Sequence, residues 1–175
     1  NLILWAGYLI LALVLTWPTA NQLTTHLPGD GGDDPAIAWN LWWVKYALLN
    51  EGQNPFHSDF IFYPIGINLA FYTLTTLNAI TALPLTLNLG VVTASNLHML
   101  FTFVVGAYGT FLLTRYVLTT ILITDRRQLT ATGNANGQWS TVNSLIWVSA
   151  AIAGGFYAFA GSKLFYVALG QFNIA

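Results

Sequence analysis

Residues 27–43 read LPGDGGDDPAIAWNLWW, and within them Asp30, Asp33 and Asp34 fall among glycines. Like charges this close repel, and flanking glycines let the backbone fold so that the carboxylates converge on one point. Converging carboxylates suit a divalent cation such as Mg or Mn, bound through hard oxygen ligands, or a positively polarised reaction centre. The spacing is not that of an EF-hand loop, which needs further acidic ligands and a closing Glu. A solvated turn competes with both readings, since GDGG is good turn chemistry by itself. A second group, His57 and Asp59 in NPFHSDF, is separated by one residue, so in an extended segment both face the same side. Such a pair suits a phosphate or an acceptor group, against the plainer reading of a solvated loop. Lys163 offers a cation for a lipid phosphate. His98 lies alone inside an apolar run, where a neutral, hydrogen-bonded imidazole competes with a functional intramembrane group.

The elements that must position these groups are written in the composition. The chain has 175 residues, 55% hydrophobic and only 6% charged, against roughly 25% charged in ordinary soluble domains. That balance points to lipid. Cysteine is absent, which excludes disulfides and thiolate metal sites. A net charge of -1 gives no basic stripe for phosphates, and nucleic acid is excluded as a partner. Four apolar stretches stand out: Leu2 to Trp17, Leu69 to Val92, Ser95 to Thr124, and Val142 to Gly161. The first reads as a transmembrane helix lacking its first turn, because a span wants about 20 residues. Both ends of the chain stop in apolar sequence, so the expectation is an N-terminal fragment of a longer membrane protein. The stretch 142–161 is rich in Ala and Gly, as closely packed membrane helices are.

Two polar regions separate the apolar ones. The first, 18–68, holds Asp30, Asp33, Asp34, Lys45, Glu51 and Asp59; the second carries Asp125, Arg126 and Arg127. Basic residues beside a span favour the cytoplasm, which puts the acidic region outside. Residues 69–92 then start and finish outside, as a re-entrant or interfacial pair of segments broken near Pro84. If 69–92 crosses fully, the Arg loop lies outside instead.

Pro35 suits the first helical position, since its missing N–H has no partner there anyway. Asp34 is then the expected N-cap, and 35–50 the helix. On it Trp39, Trp42, Trp43 and Tyr46 fall at i, i+3, i+4 and i+7, one aromatic stripe. Trp and Tyr favour the headgroup level of a bilayer, so an interfacial helix is expected. Tyr63, Pro64 and Gly66 in FYPIG read as a turn that fixes the loop against the membrane.

The stretches GDGGDDPAIAWNLWWVKYALL and NPFHSDFIFYPIGINLAFYTLTTLNAITALPL resemble the first external loop of bacterial polytopic membrane proteins related to the GT-C-type glycosyltransferase superfamily, which includes protein mannosyltransferases and lipid A aminoarabinose transferases. The resemblance covers most of the chain and implies an external-loop carboxylate at the membrane face of the active site. It nominates Asp34, with Asp33 as partner, as general base or metal ligand. The helix dipole favours an ionised carboxylate there, which suits charge stabilisation as much as base work. The implied donor is a sugar on a polyprenyl phosphate. In FYAFAGSKLFYVALGQFN, Val167 and Gln171 stand where relatives often carry histidines, and Lys163 and Gln171 are the nearby candidates for substrate binding.

The expectation is therefore all-α: one polytopic transmembrane helix bundle over 1–175 in a bacterial plasma membrane, with a long extracytoplasmic acidic loop carrying surface helices. The expected function is a membrane-embedded glycosyltransferase. The alternative is a non-catalytic integral membrane subunit or scaffold of a larger complex, with membrane-protein partners.

Overall fold

The computed structural model describes residues 1–29, 31–129 and 135–168, without the side chains of 123–129, 135–139 and 165. The chain is mostly helical: α1 is Leu2–Leu15, α2 Asp34–Tyr46, α3 Thr76–Leu89, α4 Val91–Leu129, α5 Ala135–Ala158 and α6 Gly161–Ala168. Two short strands, β1 His57–Ser58 and β2 Ile67–Asn68, pair antiparallel with His57 opposite Asn68. Two stretches, Val91–Leu122 and Ser140–Leu164, are long and apolar enough to cross a membrane, and Leu2–Leu15 is a shorter apolar helix. At 1.5 Å per residue, the 14 residues of α1 reach about 21 Å, less than the ~30 Å hydrocarbon core.

The chain folds into two compact units. The first comprises Asn1–Leu15 and Thr102–Ala160. Its packing is built on small residues and one hydroxyl. On α1 the buried positions are Leu4, Tyr8 and Ala12, one stripe at i+4 spacing. The Tyr8 hydroxyl donates to the Ala151 carbonyl at 2.8 Å. Trp5 rests on Tyr108, ring centres 4.9 Å apart, and Phe111 meets Trp147 edge-on at 5.8 Å. Outward, the same helices are apolar: Leu2, Ile3, Ile10 and Val14 on α1, and Leu145, Val148, Ile152 and Phe156 on α5, are exposed. A helix that keeps its hydroxyl inside and most of its large aliphatic side chains outside has the arrangement suited to lipid, where helices associate through small residues and hydrogen bonds.

Gly154 is the tightest point of this unit. A methyl group there would collide with the Ala107 carbonyl oxygen and lie 2.5 Å from the Tyr8 hydroxyl. Backbone cannot step aside as a flexible side chain can. Gly154→Ala is expected to lose about 1–3 kcal/mol through overpacking, read as a lower midpoint in thermal unfolding of the detergent-solubilised protein. The neighbouring Gly155 meets nothing within 4 Å, so Gly155→Ala should leave the midpoint nearly unchanged.

The second unit comprises Thr16–Phe101 and Gly161–Ala175. Its centre is α2, which packs along α3. Leu41, Trp43, Val44 and Ala47 are fully buried. The aromatic stripe packs against the chain's own 53–74 segment. Trp43, Ala47 and Leu69 form a core against which Trp39, Trp42, Tyr46, Ile61, Ile67, Tyr72 and Leu74 pack. The Trp43 indole donates to the Pro55 carbonyl at 2.8 Å, and Trp39 stacks on Trp43 with ring centres 5.7 Å apart. Periodicity puts these rings on one face but cannot say what covers that face.

The helix expected over 35–50 runs from Asp34 to Tyr46 and continues as a π-helical turn, Ala47–Glu51. Widening the turn brings residues five apart together, and the Tyr46 hydroxyl hydrogen-bonds the Glu51 carboxylate, which with its negative charge raises the Tyr46 pKa above its ordinary value. Stabilisation from this contact is present below the ordinary tyrosine value and is lost as pH climbs through the raised one. Glu51→Gln is expected to return Tyr46 toward ordinary behaviour, so that at one alkaline pH more tyrosinate forms at this ring, as read by NMR on ring-labelled tyrosine.

The structure corrects two further expectations. The segment 69–92 is not broken near Pro84: α3 runs through Pro84 to Leu89 and ends at Gly90, φ 79. A proline removes the N–H that would donate to the carbonyl four residues back, here that of Ile80, and crowds the preceding turn; two side chains beyond it bond other α3 carbonyls. The Thr86 hydroxyl donates to Ala82 at 2.8 Å and the Asn88 amide to Pro84 at 2.7 Å. The break falls at the glycine, which takes a left-handed conformation without a steric penalty. The second correction concerns the start of α2. Asp33, not Asp34, is the N-cap, and its side chain makes no capping hydrogen bond. Its carbonyl accepts the Ile37 N–H at 3.0 Å, which closes the first turn one residue earlier than Pro35 alone suggests.

Candidate functional site

The two described carboxylates of the acidic loop are neighbours with opposite surroundings. Asp34 is buried, 9% exposed, and its Oδ1 accepts the Gly31 N–H at 2.9 Å. The loop wraps this carboxylate closely, because a methyl group on Gly29 would lie 2.6 Å from Asp34 Cγ. The glycines thus let the backbone close over one carboxylate. Asp33 is exposed, and its negative charge reaches Tyr72. Burial, then the Asp33 charge, raises the Tyr72 pKa above its ordinary value. Asp30 lies outside the described residues.

The segment from Tyr72 to Thr75 lies along the flank of α2. Tyr72 meets Trp39 edge-on at 6.3 Å, and the Asn40 amide donates to the Thr73 carbonyl at 2.8 Å. Asp33, Tyr72, Asn40 and Thr75 make a polar strip along this flank, in which the unpartnered Asn40 Oδ1 and Thr75 Oγ1 are buried. Sequence reasoning singles out only Asp33 from this strip. Tyr72 is far along the chain, and no local spacing announces the pairing.

His57 and Asp59 come together as their spacing suggests: His57 Nε2 lies 3.0 Å from Asp59 Oδ1. Both side chains are exposed, 58% and 68%. Gly66 backs the pair, since a methyl group there would stand 2.5 Å from Asp59 Oδ1 and 3.3 Å from His57 Cε1. Exposure on a short hairpin makes this a surface pair, suited to a polar ligand and worth little to stability. Lys163 lies on α6, in the same compact unit as the acidic loop. Val167, where relatives of the resembling superfamily often carry His, is buried. Gln171 lies outside the described residues. His98 is buried, and its Nε2 has no hydrogen-bond partner. Asn96 donates to the carbonyls of Leu23 and His26 at 2.8 and 2.7 Å, tying the segment before the acidic loop to the start of α4.

Among the described residues, no group of three or more His, Asp or Glu side chains is placed to hold a metal ion. Of the three carboxylates nominated for a cation, Asp33 and Asp34 are described, and Asp34 Oδ1 accepts the Gly31 N–H. Comparison with protein-family models, with curated proteins and with solved structures finds no match to this chain.

Proposed function

We propose that this chain is the membrane-inserted, acceptor-handling part of a GT-C-like glycosyltransferase that uses a sugar on a polyprenyl phosphate, and that Asp33 is its general base. An acceptor hydroxyl attacks the anomeric carbon, the bond from that carbon to the phosphate oxygen breaks, and the polyprenyl phosphate leaves with the electron pair. The acceptor's proton passes to the Asp33 carboxylate. Asp34 positions the loop through Gly31. The observation that carries this reading is the difference in burial between the two carboxylates: Asp34 is enclosed, whereas Asp33 is exposed and its charge reaches Tyr72. The apolar outer faces of α1 and α5 support insertion in a membrane; that the membrane is a bacterial plasma membrane, with the acidic loop on the extracytoplasmic side, is part of the proposal. His57, Asp59 and Lys163 are available for the donor's phosphate. The reading rests on the resemblance of the loop sequences as well as on this geometry.

A second reading is favoured by one feature. Asp34 has a structural employment that needs no chemistry, and a non-catalytic subunit or scaffold of a larger membrane complex would need no more from it. The test separating the two is transfer of labelled sugar from a pool of polyprenyl-linked donors by the full-length protein in lipid, with Asp33→Asn as the comparison. Transfer lost in the variant supports the transferase. No transfer by either protein supports the scaffold.

A further inference from the structure

Between Asp59 and Arg115 the sequence contains no Asp, Glu, Lys or Arg, yet this run opens with a surface loop rather than a buried helix. At the tip of the β1–β2 hairpin, Phe62, Tyr63 and Ile65 are 68%, 84% and 87% exposed, and nearby Phe71 is 94% exposed. These side chains are not overflow from a crowded core. The core around Trp43 takes Ile61, Ile67 and Tyr72 from the same segment, so the segment sorts its apolar residues into an inward set and an outward set. The outward set stands on a closed turn: Phe62, at φ 60, accepts the Ile65 N–H at 2.9 Å and the Gly66 N–H at 3.2 Å through its carbonyl. The hairpin is polar at its base, where His57 and Asp59 pair, and apolar at its tip.

We propose that this tip is a lipid-surface wedge: Phe62, Tyr63 and Ile65, with Phe71, enter the boundary between headgroups and acyl chains and hold the polar base of the hairpin at headgroup height. A bilayer is the occupant that the surroundings favour. The run leads without a charge through α3, whose Leu77, Ile80 and Leu87 are exposed, and past Gly90 into Val91–Leu122, a stretch long and apolar enough to span. The tip is therefore continuous in sequence with the lipid-facing part of the chain. Rings with a polar edge beside aliphatic side chains are the usual occupants of the interface, buried ~5–10 Å into it. The inference rests on the membrane-spanning reading above and is independent of the transferase chemistry.

The 175-residue sequence has no cysteine, so site-directed spin labels report its positions cleanly. The full-length protein, with any cysteine elsewhere in it replaced, is reconstituted in vesicles of phosphatidylcholine and phosphatidylglycerol. It carries a nitroxide at Ile65→Cys, with Ile152→Cys as lipid-facing reference and Gln53→Cys as aqueous reference. Tyr63→Cys is the second tip variant. Power saturation compares collisions with oxygen, which concentrates in lipid, against a water-soluble nickel chelate. The expected result is oxygen over nickel at 65 and 63, as at 152, and the reverse at 53. A tip that behaves like position 53 overturns the wedge while leaving the span intact. Shielding of the tip from both agents also overturns it, by placing a protein partner there. Nickel exceeding oxygen at 152 as well removes the membrane reading on which the wedge stands. Loss of sugar transfer affects none of these readouts.

Discussion

Replacing Trp43 with alanine is expected to destabilise the second unit by about 3–5 kcal/mol, the range for truncating a large buried aromatic. The indole is fully buried, it donates to the Pro55 carbonyl, and Trp39, Trp42, Tyr46 and Phe60 all have ring centres within 6.3 Å of it. Truncation opens a cavity, leaves the Pro55 carbonyl without its donor, and detaches the 53–74 segment from α2. Trp43→Phe keeps most of the volume and loses only the hydrogen bond, whose net worth is about 0.5–1.5 kcal/mol. The size of the gap between the two variants is the informative quantity. Thermal unfolding of the solubilised protein, followed by near-ultraviolet circular dichroism, measures both. Equal losses for Phe and Ala would mean that the hydrogen bond, rather than packing, holds the segment.

The same residue shows how far the sequence reaches. Composition and apolar runs are enough to anticipate a helical chain with α4 and α5 as its long apolar elements, because an apolar stretch bounded by polar loops leaves few choices. The proline signal finds the start of α2 to within a residue. Periodicity places Trp43 on the correct stripe, but no local spacing shows that the chain's own 53–74 segment packs against it. Long-range covering surfaces have no local signature. Pro84 reads as a break because a proline costs a helix one backbone hydrogen bond, while the side chains of Thr86 and Asn88 that bond to neighbouring carbonyls depend on rotamers that sequence does not state. In the sequence Asp34 reads as the helix cap and, through the resemblance, as the leading carboxylate with Asp33 as its partner, and no spacing says which of the two is enclosed. Burial of Asp34 and exposure of Asp33 arise from where Gly29 and Gly31 put the backbone. The pairing of His57 with Asp59 follows from spacing alone, since alternate residues of an extended segment share a side.

The second large effect concerns catalysis. Asp33→Asn is expected to lower kcat by about 10²–10⁴-fold, the usual contribution of a positioned general base, while the protein remains folded. The same substitution removes the negative charge that helps raise the Tyr72 pKa, so Tyr72 should ionise at lower pH in the variant, though still above its ordinary value because burial remains. That shift checks independently that the asparagine occupies the aspartate's place. Asp34→Asn keeps an acceptor oxygen for the Gly31 N–H and is expected to retain most activity. Asp34→Ala removes the acceptor and should cost about 1.5–3 kcal/mol of stability, as for hydrogen bonds to charged groups. If Asp34→Asn proves as inactive as Asp33→Asn, the assignment of roles between the two carboxylates is wrong, and the enclosed one carries the chemistry.

The most direct measurement is single-turnover transfer of labelled sugar from polyprenyl-linked donors to acceptor hydroxyls by the full-length protein in lipid, run side by side with Asp33→Asn and Asp34→Asn. The account predicts transfer by the unaltered protein, near-normal transfer by Asp34→Asn, and a loss of about two or more orders of magnitude by Asp33→Asn with unchanged insertion and folding. Transfer that persists in Asp33→Asn, or none by the unaltered protein with any polyprenyl-linked donor, would contradict it.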